Sequence, residues 1–181
     1  LGYRGPQQLR ELLDGSAAAR GPFPRFLDLG CGTGLGAEAF ADLTTERTGL
    51  DLSAGMLRKA ADRQLYDELH QGEAVDFLAR PGKPFDLILA ADVLPYCGDL
   101  SRLFAAVAGR LTAAGIFLCT TELAAAGTYE LRKTGRFAHA EDYLLEAARA
   151  AGMTLVKGER VPLRRERSEW LEGGAYCLAP G

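Results

Sequence analysis

An α/β fold built on a mostly parallel sheet, with helices on both faces and an antiparallel hairpin at its end, is the architecture this sequence predicts. Three observations lead there. Short apolar runs alternate with helical patterns over most of the chain, the order that right-handed strand–helix–strand crossovers produce. Phe85-Asp86-Leu87-Ile88-Leu89-Ala90 is apolar almost throughout, as expected of a strand covered on both faces. The C-terminal part carries two strand-like runs with no helix between them, which implies an antiparallel pair.

The elements follow in order. Gln7 to Ala19 sets Leu9, Leu12 and Leu13 on one face and predicts a helix packed on the domain, preceded by a candidate lid, Leu1 to Pro6. Arg25 to Leu29 reads as a buried strand ending at glycine, and Leu35 to Leu43 as a short helix. Arg47 to Asp51 is a second strand, and Ser53 stands as an N-cap before a helix to about Leu65. Leu69 to Gln71 reads as a third strand, followed by a helix around Val75, Phe77 and Leu78. After the fourth strand, Leu103, Phe104, Val107 and Leu111 recur at one-face spacing in a helix from Leu100 to Leu111. Gly115 to Thr120 is a fifth strand. A loop-rich stretch then leads to a helix from Glu141 to Ala151, ended by Gly152, and to terminal strands Met153 to Pro162 and Glu172 to Leu178. The expected division is an N-terminal helix and lid over 1–24 and one domain over 25–181.

Composition narrows the function. The 181 residues suit one domain with a sizeable core, 48% hydrophobic and 25% charged. No apolar run approaches the roughly 20 residues needed to span a bilayer, and the N-terminus lacks the pattern of a secretory signal. A net charge of −3 disfavours a nucleic-acid partner; the densest basic stretch, Arg164-Arg165-Glu166-Arg167, reads as solvated. Cys31, Cys97, Cys119 and Cys177 are scattered without a C-x-x-C pair, and the only histidines are His70 and His139. A cytoplasmic protein without a metal site is the expectation. The chain begins at Leu1, so a longer parent protein is expected.

The chemistry centres on Asp28-Leu29-Gly30-Cys31-Gly32-Thr33-Gly34, between the first strand and its helix. Glycines let the backbone turn sharply and let a ligand approach the main chain, and the helix that follows offers free N–H groups. Gly32-Thr33-Gly34-Leu35-Gly36-Ala37 also satisfies the loose dinucleotide pattern, so an NAD-dependent oxidoreductase stands as an alternative. Against it, Asp28 is an awkward neighbour for pyrophosphate.

The loop and its surroundings resemble class I S-adenosylmethionine-dependent methyltransferases. Leu27 to Gly34 resembles the first motif of that family. Gly49-Leu50-Asp51-Leu52-Ser53-Ala54-Gly55-Met56-Leu57 resembles its second-strand motif, in which an acidic residue, here Asp51, accepts from both ribose hydroxyls. Gly72-Glu73-Ala74 falls where an acidic residue meets the adenine amine, although Asp is commoner there. Phe85 to Leu94 resembles the fourth-strand motif. Leu111-Thr112-Ala113-Ala114-Gly115-Ile116-Phe117 resembles the turn before strand five, with Ala-Ala-Gly where Pro-Gly-Gly is usual. The matches cover residues 25–121 in the right order. More narrowly, Leu65 to Leu69, Ala91 to Tyr96 and Gly135 to His139 resemble predicted bacterial methyltransferases, some fused to tetratricopeptide repeats.

The resemblance implies a Rossmann-like fold with a seven-stranded sheet. It implies S-adenosylmethionine as cofactor and S-adenosylhomocysteine as product, with Asp28, Gly30, Cys31, Gly32, Gly34, Asp51, Leu52, Met56, Gly72, Glu73, Ala74 and Ala91 around them. It also implies an N-terminal repeat region in a longer parent chain.

Methyl transfer from a sulfonium is an in-line displacement, so the protein mainly positions donor and acceptor, and a base is needed only where the acceptor must lose a proton. Ligands bind beyond the carboxyl ends of the strands in open α/β sheets. The candidates there are Asp92, Tyr96 and His139 for catalysis, and Glu122, Arg136, Tyr3 and Arg4 for the acceptor. Motifs of amino-methylating DNA enzymes, cytosine-C5 enzymes and arginine methyltransferases are missing, which leaves O-, N- or C-methylation of a small molecule, with protein or peptide substrates also open; the short connection after strand five leaves modest room for a substrate cap. A non-catalytic domain that only binds the cofactor is the other alternative.

Overall fold

The computed structural model describes residues 3–19, 21–166 and 169–181. Leu1 and Gly2 of the candidate lid, and Arg167 of the basic stretch, lie outside the described residues.

Five parallel strands form the body of the sheet in the order β3 (Glu68–Gln71), β2 (Glu46–Asp51), β1 (Arg25–Leu29), β4 (Phe85–Ala90) and β5 (Leu111–Leu123). The order reverses at β1, whose neighbours β2 and β4 leave on opposite sides; this is where an open α/β sheet offers a crevice. The terminal strands β8 (Met153–Glu166) and β9 (Glu169–Pro180) are an antiparallel ribbon, and β9 pairs antiparallel with β5. Both run longer than the apolar pattern suggests.

Side-chain alternation along each strand feeds two cores. Leu27 and Leu29 of β1, Ile88 and Ala90 of β4, and Phe117 and Cys119 of β5 face one side. They pack there with Leu78 of α4 (Ala74–Ala79), Phe104 of α5 (Ser101–Ala108) and Leu144 of α6 (Glu141–Ala150). Phe26, Leu87, Leu89, Ile116 and Leu118 face the other side, against Leu9, Leu12 and Leu13 of α1 (Gly5–Asp14) and Ala37 of α2 (Leu35–Ala39). The remaining helix, α3 (Ala54–Asp62), is capped by Ser53, whose Oγ accepts from the Met56 N–H at 3.3 Å.

Several bounds differ from the sequence pattern. α1 stops at Asp14 and α5 at Ala108, and β5 already starts at Leu111. The larger difference lies after β5. The stretch expected as loop holds a small antiparallel hairpin, β6 (Tyr129–Leu131) and β7 (Phe137–His139). β7 pairs with Glu122 and Leu123. At Phe117 to Cys119, β5 is flanked by both β4 and β9, and at Glu122 by both β7 and β9. β7 therefore takes the edge of β5 that β4 has vacated, and the hairpin stands above the carboxyl end of β4.

Candidate active site

The loop after β1 is a backbone cradle. Gly30, Gly32 and Gly34 have φ of +64°, +53° and +93°, a region that side-chain-bearing residues rarely adopt. A Cβ on Gly30 would also lie 2.8 Å from Val93 Cγ2. The Cys31 N–H donates to the Leu50 carbonyl at 2.9 Å and ties the loop to β2. Burial pushes the Cys31 thiol up, with Asp28 and Asp51 adding to the rise, so it has no thiolate character.

Asp51, at the end of β2, braces this cradle. Its Oδ2 accepts the Gly32 N–H at 2.9 Å and its Oδ1 the Ser53 N–H at 2.8 Å. A carboxylate has about four acceptor positions, so each oxygen keeps one for a vicinal diol. Leu52 and Met56 follow as exposed apolar surface, and the exposed Glu73 and half-buried Ala74 open α4 beside Gly72. Ala91 is buried at the end of β4.

Asp28 lies beneath the cradle. It is 2% exposed, its Oδ2 accepts the Tyr66 hydroxyl at 2.6 Å, and a Cβ on Gly36 would sit 2.1 Å from that same oxygen. Burial pushes its carboxyl up to about 7, with the Asp51 charge adding and the Tyr66 bond opposing. Tyr66 and Gly36 therefore belong to the site, although neither carries a role in the sequence motifs.

The other half of the edge, above β4 and β5, is a polar cluster. Asp92 follows β4 with φ +64°, an uncommon conformation outside glycine, held by its N–H to Thr120 Oγ1 at 2.9 Å. Arg136, just before β7, donates to Asp92, to Glu122 Oε1 at 2.6 Å and to the Tyr96 hydroxyl at 2.8 Å, with its guanidinium 4.8 Å from the Tyr96 ring centre. Glu122, fully buried at the end of β5, also accepts from Arg132 at 3.2 Å and Arg164 at 2.5 Å. Burial works to raise its carboxyl, but the bonds and charges of Arg136 and Arg164 outweigh it and hold the group below the usual range. Asp92 is shifted the other way, by burial that Arg136 only partly offsets. Arg164 is thus engaged at the site, a correction to its reading as a solvated residue.

Tyr3 joins this half. Burial and then the Asp92 and Asp28 charges raise its phenol, and the residue as a whole keeps 41% of its surface exposed. Arg4 turns instead to Glu11, 2.9 Å away on the surface. His139 is placed differently from a base. The ring is fully buried; Nδ1 is 2.6 Å from Thr121 Oγ1, and Nε2 is 2.8 Å from the Cys97 carbonyl and 3.1 Å from that of Gly98. Burial holds it below the usual histidine range. Nδ1 ties β7 to β5, and Nε2 ties it to the segment after β4.

Fold and edge together define the class: a Rossmann-like methyltransferase domain with its glycine cradle at the switch point. Residues 27–117 match the methyltransferase domain family, and the chain belongs to it. It is similar to a malonyl-[acyl-carrier protein] O-methyltransferase of Enterobacter lignolyticus, 32% identical over 76% of this chain and 55% of that protein. A ubiquinone biosynthesis O-methyltransferase of Caulobacter vibrioides is 31% identical over 64% of this chain and 48% of its own length. The chain thus spans about half the length of these curated relatives. The crystal structure of an S-adenosylmethionine-dependent methyltransferase from Clostridium acetobutylicum superposes with a TM-score of 0.75 at 17% identity, over 100% of this chain and 93% of that one; this shows the shared fold.

Proposed function

We propose that the chain binds S-adenosylmethionine along the carboxyl edge of the sheet and directs its methyl group to an oxygen of a small-molecule acceptor. The observation that carries this is the cradle itself: three left-handed glycines under which Asp51 is fixed by two backbone N–H groups with an acceptor position left on each oxygen. When bound, the cofactor supplies an electrophilic methyl on a sulfonium. The chain's residues hold and orient. Asp51 would take the ribose diol, Leu52 and Met56 the adenine face with Glu73 near its amine, and buried Asp28 the charge of the methionine ammonium beside Gly30.

With Asp51 and the cradle holding the cofactor over β2 and β1, Asp92 and Tyr96 would stand on the acceptor side of its methyl group. Asp92, held through one oxygen by Arg136, would take an acceptor hydroxyl proton on the other. The oxygen assignment rests on the two relatives, both named as O-methyltransferases. Among the described residues no helix is long and apolar enough to cross a membrane. The four free thiols fit the cytoplasmic setting we favour.

The test is binding by thermal shift and calorimetry. S-adenosylmethionine and S-adenosylhomocysteine are expected to raise the melting temperature by mass action, and NAD is not. Asp51→Asn should remove most of the ligand-induced rise relative to its own cofactor-free baseline. No rise with either ligand on the wild-type chain would sink the proposal.

A further inference from the structure

The half of the edge that the cofactor leaves open is built around two carboxylates, Asp92 and Glu122, and three guanidiniums. Along the sheet the sequence of loops is β2 with Asp51, β1 with the glycine cradle, β4 with Asp92, and β5 with Glu122. A donor lying over β2 and β1 leaves the acceptor the space over β4 and β5, under the β6–β7 hairpin. Arg132 reaches this space from the hairpin turn, on the β4 edge of β5. Arg164 reaches it from β8, on the opposite edge. Both end on Glu122, whose side chain is fully buried, while their own side chains keep 27% and 26% of their surface.

Arg136, 12% exposed, is shared between Asp92 and Glu122, and a buried carboxylate needs hydrogen bonds on its remaining lone pairs; Arg132 and Arg164 supply them to Glu122 while their own side chains stay partly exposed. Arg132 gives one guanidinium nitrogen to Glu122 and another to the Leu123 carbonyl at 2.7 Å, with exposed Glu130 3.6 Å from its Nε. A planar guanidinium has five donors matched to a carboxylate's two oxygens. Because Glu122 already holds the guanidiniums in place, an incoming anion would meet donors that need no reordering. Two exposed aromatic residues stand on this side, Tyr96 at 67% and Tyr3 at 41%.

We infer that the acceptor is an amphipathic molecule with a carboxylate, which Arg132 and Arg164 grip beside Glu122 while its apolar body lies against Tyr96 and Tyr3. The inference rests on the methyltransferase reading of the same site. It assigns Arg132 and Arg164 to acceptor recognition, separately from the donor-binding residues.

The experiment uses the whole chain saturated with S-adenosylhomocysteine and titrates benzoate and 4-hydroxybenzoate against benzamide and 4-hydroxybenzamide, read by melting temperature and calorimetry. The carboxylates are expected to bind about tenfold or more tightly than their amides. That preference should disappear in Arg132→Gln and Arg164→Gln while the S-adenosylhomocysteine shift is retained, which also shows that the variants fold. Arg132→Lys, which keeps charge but not the fork, should recover part of it. Should a variant not fold, the wild-type carboxylate-against-amide comparison decides alone. Equal binding of acids and amides, no binding of either, or a preference unchanged in both folded glutamine variants overturns the inference and leaves the methyltransferase reading standing. A wild-type chain that ignores S-adenosylhomocysteine overturns both.

Discussion

Asp28 makes the unbound domain less stable as the pH rises, and the size of the effect follows from its surroundings. Its carboxyl is almost fully buried and titrates near 7, against an ordinary value of 3.8. A rise of about three pH units corresponds to about 4 kcal/mol of preference for the neutral form. The unfolded chain loses this proton near 3.8 and the folded domain near 7, so between those values the folded state binds more protons and stability falls with increasing pH. At pH 5 about a third of the penalty has developed, and at pH 8 all of it; the difference is about 3 kcal/mol. Asp28→Asn keeps the volume under Gly36 and leaves the Tyr66 hydroxyl an amide oxygen to donate to, but has no proton to lose. Urea denaturation of both proteins at pH 5 and pH 8, without cofactor, yields four free energies. The variant should gain about 3 kcal/mol on the wild type between the two pH values, and any pH-independent packing change cancels in that comparison. Parallel pH profiles, with a gain under about 1 kcal/mol, would refute the reasoning.

Other outcomes follow from neighbouring contacts. If the charged Asp28 receives the methionine ammonium, S-adenosylmethionine affinity in calorimetry should weaken about tenfold per pH unit below about 7, and this slope should vanish in Asp28→Asn. Gly36→Ala drives a methyl into Asp28 Oδ2 and to 2.8 Å from Leu89 Cδ2; it should lose about 1–3 kcal/mol in denaturation and most of the cofactor shift. Glu122→Ala leaves the three guanidiniums without the carboxylate on which they converge and should destabilise by about 3 kcal/mol or more. His139→Gln should melt earlier yet keep the shape of the pH–rate profile, because the histidine is neutral and tied to Thr121 and to the Cys97 and Gly98 carbonyls.

The donor half of the site was readable because its residues are close in the chain and its geometry is local. The left-handed turns that Gly30, Gly32 and Gly34 adopt need no long-range information, and the strand before them is a plain apolar run. Asp51 stands one strand further on, in a motif of its own. The acceptor half was less legible. Arg132 and Arg164 come to Glu122 from 10 and 42 positions away, and Tyr66 meets Asp28 from 38 positions away, with no periodicity to connect them. The β6 and β7 strands have three residues each, too few for a two-residue alternation to register, so the hairpin reads as loop. Arg164 reads as solvated from its charged neighbours, and only the pairing of β8 with β9, and of β9 with β5, brings it to Glu122. His139 looks like a base because histidine beside a cleft often is one; burial and three partners make it a tie instead.

The sharing of one edge of β5 between β4 and β7 divides the domain into parts that can evolve at different rates. The cradle hangs on β1, β2 and their crossovers, with Leu89 and Val93 packed against it from β4 and the turn that follows. The hairpin over the proposed acceptor side joins the ladder at two positions, Glu122 with Ala138 and Leu123 with His139, and is otherwise held by side chains of Arg132, Arg136 and His139. Its turn, residues 132–136, includes Arg132 and Arg136. Exchanging that turn, or lengthening it, rewrites the acceptor's surroundings without touching a strand of the donor half. Chimaeras that swap residues 124–140 between members of the family are accordingly the direct route to altered acceptor preference with cofactor binding kept.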